Sequence, residues 1–206
     1  MSRPGCLFVI AGPSGVGKSS VAAMLRQRRP LFFSVSATTR PRRPSEVDGV
    51  HYLFIQPEEF DQLVAAGAFL EWAVYNDHKY GTLLGPVKDR LAAGQDVLLE
   101  IDVQGAAQLR ELTLPMVMFF VVPPSMEELE RRLRRRGDTT EDDIKRRRVI
   151  AEAELALAPD MFDHIVINDH LERCVTEIDA LMSGGCPPER PYGTRQARDP
   201  GKPTVV

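Results

Sequence analysis

Residues 12–19 read Gly12-Pro-Ser-Gly-Val-Gly17-Lys18-Ser19, and an unbroken apolar run, Leu7-Phe-Val-Ile-Ala11, leads directly into them. This G-x-x-x-x-G-K-[ST] spacing constrains the chain more than any other feature. The glycines let backbone N–H groups turn inward around phosphate oxygens. Lys18 sets a point charge beside the terminal phosphates, and the Ser19 hydroxyl suits a magnesium ion. A helix starting at Lys18 turns its positive end toward the anion. Pro13, Ser14, Gly15, Val16 and Ser20 belong to the same triphosphate-binding cradle as Gly12, Gly17, Lys18 and Ser19. A chance turn with these letters needs no strand before it and no helix after it. Here both are present, so the segment predicts binding of a nucleoside triphosphate.

Runs 7–11, 32–36, 96–101, 117–122 and 164–168 are rich in β-formers and almost continuously apolar. That pattern suits a five-stranded parallel sheet covered on both faces. Helical stretches fall between the runs. Residues 18–29 end in basic residues and then Pro30. Residues 86–93 open on Pro86 and stop at Gly94. Ser125-Met-Glu-Glu128 is a capping box for a helix over 126–136, Thr140 caps another over 141–158, and an amphipathic helix covers 171–182. The expected fold is α/β, with a P-loop core at about 5–36, 84–128 and 159–183. A small mixed lobe at about 37–83 carries a strand at 51–55 and a short helix at 57–66. Residues 129–158, nearly all helical and heavily charged, read as a lid. The domain as a whole spans 5–183, and residues 184–206, rich in Pro, Gly, Arg and Ser, read as a disordered tail.

A length of 206 residues favours one compact domain. The net charge of −3 supplies no broad basic field, so neither nucleic acid nor membrane is an expected partner. The arginine run Arg131, Arg132, Arg134, Arg135, Arg146 and Arg148 reads as a mostly solvated helix face. Cys6, Cys174 and Cys186 are odd in number and fit no metal spacing, so they read as reduced thiols in a cytoplasmic protein. The apolar run at 6–11 is too short to span a bilayer or to form a signal-peptide core. His51, His78, His164 and His170 are scattered and receive no catalytic role.

A second anion site can be read from residues 36–82. Arg40 and Arg43 lie close together on a proline-punctuated loop, and a guanidinium fork suits phosphate oxygens. Taken alone, they read more readily as a solvated basic loop. Tyr52 and Tyr80 carry phenolic hydroxyls that can donate to the same group. Glu71, beside Trp72, is by itself an ordinary surface acid.

Several ordered segments change that balance. Ser34-Val-Ser-Ala-Thr-Thr-Arg-Pro-Arg-Arg43, Glu46-Val-Asp-Gly-Val-His-Tyr52, Phe69-Leu-Glu-Trp72 and Tyr80-Gly-Thr82 come first. Leu99-Glu-Ile-Asp-Val-Gln-Gly105, Arg132-Leu-Arg-Arg-Arg-Gly137 and Ile167-Asn-Asp169 follow. Together they resemble the guanylate kinase family over roughly residues 5–182. The resemblance implies an ATP:GMP phosphotransferase that forms ADP and GDP in purine nucleotide metabolism and GMP recycling. Mg²⁺ would accompany ATP, dGMP would be an alternative acceptor, and the protein would be a cytoplasmic monomer or weak homo-oligomer.

The resemblance also implies roles for residues. Arg40, Arg43, Tyr52 and Tyr80 would hold the GMP phosphate. Glu71 would accept from guanine N1–H and N2–H₂, where adenine offers an acceptor and is repelled. Ser36 and Thr82 would meet the O6 edge, with Gly81, Glu100 and Asp102 also at GMP. Lys18, Arg136 and Arg147 would be the catalytic cations, Arg136 and Asn168 contacting ATP, the latter at adenine. Ser45, Lys79 and Gly85 depart from the family pattern, and Lys79 would alter the field of the GMP pocket. A non-catalytic peptide-binding relative would lack a working phosphate loop. A kinase for another nucleotide or a phosphosugar would lack the set Glu71, Ser36 and Tyr52.

Overall fold

The computed structural model describes residues 4–75, 77–136 and 140–187; the side chains of Tyr75 and Arg136 are not described. The main sheet has five parallel strands in the order β2-β7-β1-β8-β9. These are β1 (Leu7–Ala11), β2 (Phe32–Phe33), β7 (Val97–Glu100), β8 (Met116–Val122) and β9 (His164–Ile167). In an extended chain successive side chains point to opposite faces, so each apolar run feeds two cores. Phe8, Ile10, Phe119 and Val121 join one cluster, whereas Leu7, Val9, Met118 and Phe120 join the other. That division is why the central strands show no polar alternation.

Helices α1 (Lys18–Arg28) and α7 (Leu171–Ser183) lie against the first cluster through Val21, Leu25, Val175 and Ile178. Helices α3 (Leu84–Ala92) and α4 (Val103–Arg110) cover the second through Val87, Leu91, Ala106 and Leu109. The helix pair α5 (Met126–Arg136) and α6 (Glu141–Met161) follows β8. Both caps expected there are present: Ser125 Oγ accepts from the Glu128 amide at 3.2 Å, and Thr140 Oγ1 from the Asp143 amide at 3.2 Å.

A second sheet occupies the inserted lobe. Its order is β4-β3-β6-β5, with β3 (Ala37–Thr38), β4 (Leu53–Phe54), β5 (Phe69–Tyr75) and β6 (His78–Leu83). The pairing is mixed: β3 runs parallel to β4 but antiparallel to β6. The short helix α2 (Pro57–Ala65) buries Phe60 against Phe69, ring centroids 4.4 Å apart.

Several sequence expectations need correction. The run at 32–36 pairs in the main sheet only as Phe32–Phe33; Ser36 instead gives its carbonyl to the Leu53 amide of the second sheet at 2.9 Å. Helix α6 does not stop near residue 158. Pro159 lies inside its last turn, and the Phe162 amide closes on the Ala158 carbonyl at 3.0 Å beyond it. Buried Phe162 stacks obliquely on Phe120, which draws the chain inward. Helix α4, β5 and β6 had no counterpart in the sequence reading.

The cysteine reading is corrected as well. Cys6 and Cys186 form a disulfide across 180 residues, and Cys174 alone is a free, buried thiol. Cys186 falls inside the stretch expected as tail, yet it packs on the first core cluster. The remainder of that expected tail, residues 188–206, lies outside the described residues. No helix among the described residues is long and apolar enough to cross a membrane.

Candidate active site

The phosphate loop, Glu100–Asp102 and Asn168 all follow the carboxyl ends of parallel strands, where open α/β sheets present their ligand sites. They line one end of a cleft of about 1220 Å³ whose other end is built from the second sheet. Gly17 caps α1 with φ 105°, a left-handed conformation suited to glycine, and no acidic residue occupies the first turn of α1. Helices α5 and α6 instead carry acids at their starts. The positive end of α1 is thus left to an external anion. Lys18 Nζ curls over the loop and donates to the carbonyls of Gly12 at 2.7 Å and Pro13 at 3.1 Å. Val16 is buried beneath the loop.

Glu100 joins the two ends of the cleft. Its Oε1 accepts from the Ser19 hydroxyl at 2.6 Å, and its charge helps raise the phenol of Tyr52. Burial is the first cause of that rise, which brings Tyr52 to about 12, so its hydroxyl remains a donor. Asp102 caps α4, accepting from the Gly105 amide at 2.8 Å, and also lines the cleft. Ser19 and Glu100 form an all-oxygen pair beside the phosphate loop, a donor chemistry that fits Mg²⁺ arriving with a triphosphate. Among the described residues no cluster of three His, Cys, Asp or Glu is arranged to hold a metal.

At the far end, Arg40 forks onto Glu46, with Nη1 to Oε2 at 3.0 Å and Nη2 to Oε1 at 2.7 Å. The Arg43 amide donates to the same carboxylate at 2.8 Å. Burial alone would raise the Glu46 carboxyl. The Arg40 fork, the Arg43 amide and the adjacent positive charges outweigh burial and hold it below the ordinary carboxylate range. The Arg40 guanidinium also stands over the Tyr52 ring, and Tyr52 meets Tyr80 edge-on with centroids 6.0 Å apart. Glu46 therefore orients one of the phosphate-binding candidates. It was quoted within a motif above but given no role; an acid six residues beyond Arg40 on the same loop was its signal.

Glu71 is only 5% exposed, yet it lines the cleft. Burial is the main cause that pushes its carboxyl up to about 7. The Thr82 side-chain and backbone hydrogen bonds oppose the rise, and the charge of Asp102 adds to it. Thr82 is fully buried, and its hydroxyl lies 3.5 Å from Ser36 Oγ, so it serves the Glu71 carboxylate as much as any ligand edge. Gly81 has a packing reason to lack a side chain: a Cβ would come within 2.8 Å of Phe69 Cδ1 and 2.9 Å of Trp72 Cβ. The Lys79 ammonium pairs with Asp61 of α2.

The helix pair brings its own groups. Arg147 Nη1 donates to Ser14 Oγ at 2.6 Å. Arg136 ends α5, but its side chain is outside the described residues. Arg132 is not part of a solvated face. It donates to Glu128 at 2.7 Å, to the Val16 carbonyl at 3.0 Å and to the Asn168 carbonyl at 2.8 Å. By contrast, Arg131, Arg134, Arg146 and Arg148 pair with acids of α5 and α6. The Asn168 amide nitrogen donates to the Val16 carbonyl at 2.8 Å, which fixes the loop from the end of β9. Glu154, two turns beyond Arg147 on α6, also lines the cleft and was missed; its Oε2 is buried with no partner. Only its spacing from Arg147 hinted at this.

A cleft with a phosphate loop on a parallel sheet at one end and paired arginines and tyrosines at the other has the arrangement of a P-loop nucleoside monophosphate kinase. The model of the guanylate kinase family matches residues 5–184. A guanylate kinase of Sphingopyxis alaskensis is 48% identical over 184 residues, 88% of this chain and 83% of its own length. One from Synechococcus is 50% identical over 179 residues, 86% and 82% of the two chains. The crystal structure of guanylate kinase from Anaplasma phagocytophilum has a TM-score of 0.74 at 30% identity, covering 89% of this chain and 87% of that one. The chain belongs to the guanylate kinase family.

Proposed function

We propose that this enzyme transfers the γ-phosphoryl group of ATP to GMP, giving ADP and GDP. The observation that carries this reading is the buried Glu71 carboxyl, which faces the same cleft as the phosphate loop. Guanine offers two adjacent donors, N1–H and N2–H₂, to one carboxylate, whereas adenine offers an acceptor at N1. A pocket whose buried polar groups go unpaired with the wrong base can discriminate by roughly 10⁴. Ser36 and Thr82 complete the edge near O6, and Arg40, Arg43, Tyr52 and Tyr80 hold the GMP phosphate. dGMP fits the same contacts.

The attacking atom is a phosphate oxygen that is already anionic, so no strong base is required. The protein's task is alignment and charge neutralisation. Lys18 and the first turn of α1 draw the ATP phosphates into the loop. Arg147 reaches them from α6 and spreads the charge of the transition state, a role that the family resemblance also gives to Arg136. Asn168 borders the loop on the adenine side. Ser19, backed by Glu100, would hold Mg²⁺, which when bound would neutralise charge on the phosphates. The lobe at 37–83 and the helices at 129–158 would close on the core at 5–36, 84–128 and 159–183, excluding water.

The enzyme is taken to act as a monomer or weak homo-oligomer. Its substrates point to the cytoplasm. A disulfide is unusual in that compartment, so the redox state of Cys6 and Cys186 bears on this assignment. The test is chromatography of a reaction with γ-labelled ATP and GMP. Label should appear in GDP, and Lys18→Ala should abolish it; label found only in inorganic phosphate would refute the reading.

A further inference from the structure

Gly105 stands in the first turn of α4, and nothing in its own backbone requires glycine: its φ is not among the positive values. What it requires is space. A Cβ at this position would overlap Glu71 Oε2, stand 3.0 Å from Glu71 Cδ and lie 3.5 Å from Asp102 Oδ1. The helix cannot readily draw back to admit one. Gln108, one turn further along α4, grips the backbone of Trp72 in both directions, accepting from its amide at 3.1 Å and donating to its carbonyl at 2.5 Å. The Gly105 amide is itself held by Asp102 at 2.8 Å. Helix α4 is therefore fixed to β5 at the residue next to Glu71.

We propose that Gly105 is a specificity-determining positioning residue: its missing side chain is the room in which the Glu71 carboxylate takes the orientation that meets guanine. This rests on the base-reading role proposed for Glu71. Alanine is the better helix former, so Gly105→Ala has no reason to weaken α4. Its methyl would displace the Glu71 carboxylate, the group it overlaps, and leave the phosphate loop untouched.

The experiment compares wild type, Gly105→Ala, Glu71→Asp, Glu71→Gln and the double variant Gly105→Ala/Glu71→Asp. Steady-state rates are taken with GMP and AMP as acceptors, and thermal midpoints are recorded. Gly105→Ala should raise KM for GMP on the order of tenfold or more, narrow the preference for GMP over AMP, and leave KM for ATP and the midpoint unchanged. Aspartate is one methylene shorter, so the double variant should lose less than the product of the single losses. Wild-type KM and preference in Gly105→Ala, beside a lost preference in Glu71→Gln, would overturn this proposal alone. So would losses that multiply in the double variant, or a Gly105→Ala protein that fails to fold. A Glu71→Gln enzyme that keeps its guanine preference would end the base-reading role, and this proposal with it.

Discussion

The Arg147 guanidinium donates to the Ser14 hydroxyl across 2.6 Å, tying a helix that starts at Glu141 to the phosphate loop. The same two residues line the cleft. Arg147→Ala should lower kcat on the order of 10³-fold, the scale of arginine groups that stabilise phosphoryl transfer, with a smaller change in KM for GMP. Stopped-flow and steady-state rates check this. A kcat within about twofold of wild type would remove Arg147 from the catalytic set.

Arg132 has a different task. Its three hydrogen bonds join α5, the phosphate loop and the end of β9, and its side chain is 18% exposed. Arg132→Ala leaves two carbonyls and a carboxylate short of a donor. It should destabilise the fold by about 2 kcal/mol and raise KM for ATP. Urea unfolding measures the first effect and initial rates the second. Lysine at this position should recover only part, because one ammonium cannot reproduce the guanidinium's planar geometry.

Much of this arrangement could be read from the chain. Short, almost continuously apolar runs gave the parallel sheet, and the spacing from Gly12 to Ser19 gave the loop. What escaped depended on partners distant in sequence. Arg132 looked like its exposed neighbours because nothing local distinguishes an arginine facing Glu128 from one that also reaches residue 168. Helix α4 was read only as a motif, although Asp102 is a regular N-cap residue. Strands β5 and β6 carry polar residues at cleft positions, which blurs their alternation. Glu71 was assigned by resemblance, whereas its burial and its support from Thr82 emerge only when β5 and β6 pair.

The cysteines give a direct chemical check. Denatured without reductant, the protein should titrate with one thiol, that of Cys174, and with three after reduction. A bond closing a loop this long contributes on the order of 5 kcal/mol in the chain-entropy account, so the reduced protein should unfold at lower urea. Three thiols without reductant would return all the cysteines to the reduced state expected from sequence.

Glu71 should leave a signature in pH. Burial foremost holds its carboxyl at about 7, and only the ionised form accepts from both guanine donors. The value of kcat/KM for GMP should therefore rise with pH through about 7 and level off above it. Glu71→Gln should lack that step and keep only the ionisation of the substrate phosphate near ~6. Stability moves the other way. The folded value lies above the ordinary 4.5, so the contribution is present at low pH and lost as pH rises through about 7. Wild type minus Glu71→Gln in urea midpoint should fall across that window.

The central claim is that one cleft holds ATP at its loop and selects a guanine nucleotide opposite. Release of ADP, coupled to an optical signal, should be measured for the wild-type enzyme with GMP, dGMP, AMP and UMP at equal concentration. Rapid turnover with GMP, appreciable turnover with dGMP and almost none with AMP or UMP is the predicted outcome. Equal rates with AMP, or no ADP release with GMP, would contradict it.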